Sequence, residues 1–345
     1  MSPVASRRTT AERPDTGHGE HAREFVFVLL DRFSLLAFAS AIEPLRLANR
    51  AAGRDIYRWR LSGQPAADGT VTCSNGSRFA LDHALGEVDH DSTILVCGGV
   101  EVQRATTPAL VNWLRRCARH GVAIGGICTG AHALARAGLL DDRNATIHWE
   151  NHDAFAEEFP QVQLTKSVFA IDGNRMTCAG GTASLDLMLT VIADHHGRDL
   201  ANTVADQLIY TAIRTNRDTQ RLSIPTRIGV RHPKLGRVIE IMETHIEDPI
   251  SPADLAAEVG MSTRQLERLF RRYLNRSPKR YYMELRLARA RNLLMQTDMS
   301  VINVALASGF TSPSHFSKCY RAHYSTTPYR ERGAHGSHPT GGAPG

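Results

Sequence analysis

One pattern is written twice near the C-terminus, and it constrains the fold more than any other stretch of the chain. The first copy, Leu255-Ala256-Ala257-Glu258-Val259-Gly260-Met261-Ser262, runs into Thr263-Arg264-Gln265-Leu266-Glu267-Arg268-Leu269-Phe270-Arg271-Arg272-Tyr273. The second, Val304-Ala305-Leu306-Ala307-Ser308-Gly309-Phe310-Thr311, runs into Ser312-Pro313-Ser314-His315-Phe316-Ser317-Lys318-Cys319-Tyr320-Arg321. Each reads as a short apolar-periodic helix, a Gly-apolar-Ser/Thr corner, and a second helix rich in basic and small polar residues. Glycine lets the chain turn at positive φ, and the hydroxyl behind it caps the next helix. A helix-turn-helix is built this way, with its second helix free to enter a DNA major groove.

The charge distribution supports this. Residues 231–332 carry 17 Lys+Arg against 10 Asp+Glu, a net of +7, whereas residues 1–230 carry 24 against 25. Charge alone would fit a solvated basic face; confined to the segment that holds the repeat, it is the footprint of a nucleic-acid module. In the first copy Leu266, Leu269, Phe270 and Tyr273 form the buried stripe, which leaves Arg264, Gln265, Arg268, Arg271 and Arg272 outward. Arg264 and Gln265, at the helix start, suit guanine and adenine edges. Arg268 suits a base or a phosphate, and Arg271 and Arg272 suit phosphates. A shift of 50 carries Leu266 onto Phe316, Phe270 onto Tyr320, Arg268 onto Lys318 and Arg271 onto Arg321, with Ser314, His315, Ser317 and Lys318 outward. The corner glycines differ by 49, so the second corner holds one extra residue.

Upstream, the pattern changes. The 345 residues suggest two domains, and no apolar run approaches membrane-span length. Six scattered cysteines without a CxxC pair indicate neither a zinc site nor a disulfide framework, so a reducing cytoplasm is expected, with no metal and no cofactor. Residues 1–22 read as a polar, disordered tail without a secretory h-region. From Phe25 onward, apolar strand-length runs at 25–30, 93–97 and 122–127 alternate with helices near 35–51, 108–119, 131–137, 151–159, 184–196 and 200–214. That alternation predicts an α/β domain over residues 23–214, an open, mostly parallel sheet with helices on both faces. Residues 215–233 form the expected linker, 234–332 an all-α domain with two helix-turn-helix units, and 333–345 a Gly/His/Pro-rich disordered tail.

The sharpest upstream feature is Gly125-Gly126-Ile127-Cys128-Thr129-Gly130-Ala131, a strand-to-helix elbow. Such an elbow presents a nucleophile above the sheet, and a helix start can lower a thiol pKa and bind anions. Three readings of Cys128 stand: a catalytic nucleophile, a structural cysteine in a tight turn, and a wall of a ligand pocket. His132 and His148 match no defensible triad spacing.

The stretch from about Pro233 to Arg330 closely resembles the AraC/XylS-type transcriptional regulators, through Gly260, Gly309, Phe270, the run Arg286-Leu287-Ala288-Arg289-Ala290-Arg291-Asn292-Leu293-Leu294, and Gly309-Phe310, His315-Phe316, Tyr320 and Pro328. The Cys128 elbow with Gly98-Gly99 resembles the PfpI-like class I glutamine amidotransferase superfamily, but its protease-like branch has a histidine directly after the cysteine, where this chain has Thr129. Together, with Phe33, Glu43 to Asn49, Gly138-Leu139-Leu140, His148-Trp149-Glu150 and Gly180-Gly181-Thr182, they resemble the AraC branch with an amidotransferase-like sensing domain. That resemblance implies a non-enzymatic activator of a catabolic operon that answers to arginine, glycine betaine or carnitine. It also implies promoter DNA, RNA polymerase and a second copy of the chain as partners. Phe33, Gly98, Gly99, Cys128, Thr129, Trp149, Glu150 and Thr182 are the ligand-site candidates, with Trp149 and Phe33 facing a quaternary ammonium. The alternatives are a Cys128-dependent hydrolase or amidase fused to a DNA-binding domain, and a constitutive architectural binder.

Overall fold

The computed structural model describes residues 22–221, 224–227, 229 and 232–336. The N-terminal tail other than Ala22, and the last nine residues, lie outside the described residues. The α/β part opens with β1 (Arg23–Leu29), α1 (Leu35–Ala52), β2 (Tyr57–Gly63), β3 (Thr70–Thr72), β4 (Arg78–Ala80), β5 (His83–Ala84) and β6 (Thr93–Cys97). It continues with α2 (Val102–Ala105), α3 (Pro108–Arg119), β7 (Ala123–Ile127), α4 (Ala131–Arg136), β8 (Asn144–Ala145) and α5 (His152–Glu158). It closes with β9 (Gln163–Leu164), β10 (Phe169–Asp172), β11 (Arg175–Cys178), α6 (Ala183–His196) and α7 (Arg198–Gln207).

The main sheet runs β10-β11-β7-β6-β1-β2-β5, and only the β10–β11 pair is antiparallel. The continuous apolar run of β1 explains its central place. Alternate side chains leave a strand on opposite faces, so a strand covered on both sides must be apolar throughout. Phe25, Phe27 and Leu29 accordingly pack with α1, α6 and α7, while Val26 and Val28 pack with α3 and α4. Parallel pairing sends the C-terminal ends of β1, β6, β7 and β11 to one edge of the sheet. Ligands bind at that edge of an open α/β sheet.

The helix expected to reach 214 ends at Gln207. Buried Asp186 is the cause. Tyr210 donates its hydroxyl to Asp186 Oδ1 at 3.0 Å, and Arg214 donates its backbone N–H and Nε at 2.8 Å each, which draws the chain off the helical path. The start of the expected linker is likewise pinned to the sheet part. Gln220 Nε2 donates to the Ile147 and Ser167 carbonyls at 2.8 and 3.1 Å, and Thr219 bridges Ser167.

The helical part comprises α8 (Ile224–Arg227), α9 (Pro233–Thr244), α10 (Pro252–Glu258), α11 (Thr263–Leu274) and α12 (Pro278–Gln296), then α13 (Val301–Ala307), α14 (Pro313–Tyr324) and α15 (Pro328–Gly336). The last helix therefore continues past 333, where a disordered tail was expected. The long α12 serves two cores: Tyr282 packs with α9, α10 and α11, whereas Leu287, Ala290, Leu293 and Leu294 pack with α13 and α14. Ala154 of α5 joins the second of these cores, which brings the sheet part and the helical part into contact.

Candidate functional site

The helical surface follows from the repeat. Helices α11 and α14 each span 12 residues, capped by Ser262 and Ser312 and closed by left-handed Asn275 (φ 52°) and Ser325 (φ 58°). Gly260 and Gly309 turn the corners at φ 61° and 75°. The second corner is held from outside as well. A Cβ on Gly309 would lie 2.3 Å from the Ile246 carbonyl, so only glycine fits beneath the loop before α10. Arg286 of α12 donates Nε–H to the Ser308 carbonyl at 3.0 Å and lays its guanidinium 4.1 Å from the Phe310 ring centre.

All five outward residues assigned to α11 are exposed, as are Ser314, His315, Lys318 and Arg321 of α14, while Ser317 is half-buried. Arg264, Arg268, Arg271 and Arg272 make no ion pair among the described residues, so their charge is free to meet phosphate or a base edge. Gln265 is placed differently from a free base reader. Its Oε1 accepts from the Ser262 backbone N–H at 2.8 Å in a capping box, a bond it must leave to reach adenine.

The second surface is the crevice at the strand ends. Cys128 follows β7 with φ 59°, a strained value for a residue with a side chain. The turn is this tight because a Cβ on Gly130 would sit 2.0 Å from the Val96 carbonyl, and one on Gly180 would sit 2.5 Å from Cys128 Cβ. Thr129 donates its hydroxyl to the Gly99 carbonyl at 2.7 Å and ties the ends of β6 and β7 together. The helix start does not lower the thiol pKa. Burial pushes Cys128 up to about 12, reinforced by Cys178 and Glu150, and the backbone N–H of Thr129 opposes this only in part. A one-turn start with a six-residue helix behind it has too small a dipole to prevail. Neither histidine helps: His132 faces Thr106 Oγ1 at 3.4 Å and Glu158 at 3.3 Å, and His148 Nδ1 accepts from the Glu150 backbone N–H.

Above this elbow lies a cavity of about 870 Å³. Gly99, Cys128, Thr129 and Glu150 line it; Phe33, Gly98, Trp149 and Thr182 do not. Phe33 is fully buried among Phe38 and Phe79, and Gly98 abuts the Gly130 backbone. Trp149 already has a cation on its ring, the Arg221 guanidinium at 4.6 Å from its centre, and Thr182 Oγ1 accepts from Arg214. The far wall comes from the helical part, Leu294 to Met299 and Arg332. Sequence reasoning missed it, because nothing in the pattern links Cys128 to residues more than 160 positions away.

Comparison with known proteins matches both parts of the chain to families. A helix-turn-helix domain model matches residues 255–334, and a DJ-1/PfpI family model matches residues 25–194. The HTH-type transcriptional regulator CdhR of Pseudomonas aeruginosa is 49% identical over 311 residues, 90% of this chain and 92% of its own length. GbdR, an HTH-type transcriptional regulator of the same species, is 46% identical over 307 residues, 89% of this chain and 83% of its own. The crystal structure of an AraC family transcriptional regulator from Pseudomonas putida shares 29% identity, covering 54% of this chain and 99% of that one with a TM-score of 0.48. No helix among the described residues is long and apolar enough to cross a membrane. The chain belongs to the AraC-type helix-turn-helix transcriptional regulators that carry an N-terminal DJ-1/PfpI domain.

Proposed function

We propose that this regulator activates a catabolic operon when a small amine-bearing carboxylate, such as glycine betaine, carnitine or an amino acid, fills the crevice above Cys128. In this reading it acts in the cytoplasm, as a dimer on promoter DNA, and recruits RNA polymerase. The cavity carries the reading: about 870 Å³ at the sheet edge where α/β proteins take ligands, floored by a thiol that burial keeps protonated. Glu150 supplies a carboxylate on its wall, suited to an ammonium. Ligand raises transcription only so far as it prefers the productive arrangement of the helical part over the idle one.

A hydrolase reading draws on the left-handed strain at Cys128, which active-site elbows share. It is opposed by a thiol that stays protonated at neutral pH and has no histidine hydrogen-bonded to it among the described residues. Reporter induction by a Cys128→Ala variant separates the two. Induction within about twofold of wild type fits a sensor without covalent chemistry, and complete loss in a folded variant fits the enzyme. A thermal-shift panel of amino acids and methylated amines then identifies the effector class, since a ligand at 100 times its Kd adds about 2.7 kcal/mol to stability.

A further inference from the structure

The cavity above Cys128 is closed on its far side by the DNA-binding part of the chain. Gln103 Nε2 donates to the Gln296 carbonyl at 2.9 Å, and Arg289 faces Glu157 at 3.7 Å, so the two parts meet along one rim. Arg332, in the middle of α15, also lines the cavity. Its Nε and Nη2 are buried and meet no hydrogen-bond partner among the described residues. A guanidinium fork in that state calls for a carboxylate, which it can hold with two parallel bonds. Most acids on the wall are already engaged: Glu101 with Arg32, Glu157 with Arg289, Glu158 with Arg136. Glu150 from the sheet part and Asp298 from the helical part face no lysine or arginine among the described residues. The wall thus offers one unpaired cation and two anions without a lysine or arginine partner, Glu150 having only His148 Nδ1 at 3.8 Å, which is the complement of a zwitterion.

Building on the sensing role proposed above, we infer that the effector binds across the seam between the two parts. Arg332 takes its carboxylate, and Glu150 with Asp298 takes its cationic end. The occupied site joins residues of both parts, so ligand fixes how the DNA-binding helices sit on the sheet. By linkage, DNA that favours the same arrangement tightens the ligand to the same degree.

Calorimetric titration of the full chain with glycine betaine, carnitine and L-arginine tests this. A compound that binds wild type should lose at least tenfold in affinity to Arg332→Gln and severalfold to Asp298→Asn, while its methyl ester, which lacks the anion, should not bind. The ester needs no variant, so misfolding cannot mimic its result. If both variants bind as wild type does and only Glu150→Gln weakens binding, the ligand lies within the sheet part alone. The seam is then overturned and the sensing role stands. If none of the three compounds binds wild type, the amine-carboxylate reading fails, and the seam with it.

Discussion

At the scale of single residues, the sequence is legible where a side chain faces solvent and illegible where burial decides. The outward set on α11 could be read from a 3.6-residue stripe, because Leu266 and Phe270 fix which face is inside. Arg264→Ala should therefore cost about 1–3 kcal/mol at one base position and relax specificity there. Arg272→Ala should weaken all duplexes evenly and reduce the salt slope of binding by about one. Fluorescence anisotropy against a panel of single-base operator changes would distinguish them, and an equal response of both variants would refute the division of labour. The Cys128 thiol shows the opposite case. Its elbow leaves an activated thiol open as one of three readings, but desolvation raises its pKa, and no spacing rule reports desolvation. His195 was not singled out by any pattern either. It meets the Tyr57 hydroxyl at 3.0 Å, and burial, with Arg23 and His196 nearby, lowers its pKa from the usual 6.5 to about 4. The unfolded chain then binds more protons than the folded one between those values, so this contribution is present above pH 6.5 and is lost as pH falls toward 4. A profile of Tm against pH should fall across that window and flatten in His195→Gln.

At the scale of elements, the repeat made both helix-turn-helix units legible, down to the extra residue between Gly309 and Ser312. What it concealed was that the two glycines are not equivalent. A Cβ on Gly260 would meet nothing closer than the Lys234 Nζ at 3.9 Å, whereas on Gly309 it would strike the Ile246 carbonyl at 2.3 Å. Gly260→Ala should cost only the left-handed backbone penalty, about 1–2 kcal/mol. Gly309→Ala should cost clearly more and, through the loop before α10, loosen the first unit as well. Chemical denaturation of the two variants decides this, and equal losses would show that the loop yields freely. Helix α7 gives the complementary lesson: apolar periodicity continued toward 214, but the buried Asp186 carboxylate outweighs a few tenths of a kcal/mol of propensity per residue.

At the scale of the molecule, the sequence divides cleanly by charge and pattern, and that division hides the contact between its halves. Alternating strands and helices forecast the sheet, and the repeat forecast the helices, but no local signal places Ala154 in the core of the second helix-turn-helix unit or Arg332 on the rim of the sheet's crevice. Arg289 sits at this junction, with Glu247 at 2.9 Å in the helical part and Glu157 at 3.7 Å on α5. Even a fully exposed pair would contribute about 0–1 kcal/mol, and a like charge set against the largely buried Arg289 acts more strongly. Glu157→Lys should therefore part the halves while leaving each one folded. Scanning calorimetry would register this as one thermal transition in wild type that broadens or splits in the variant, with the α/β and helical parts melting separately. A variant that kept a single, unshifted transition would show that the seam does not couple the two parts, and the effector proposed for the crevice would then have to act on the helical part through residues 215–233.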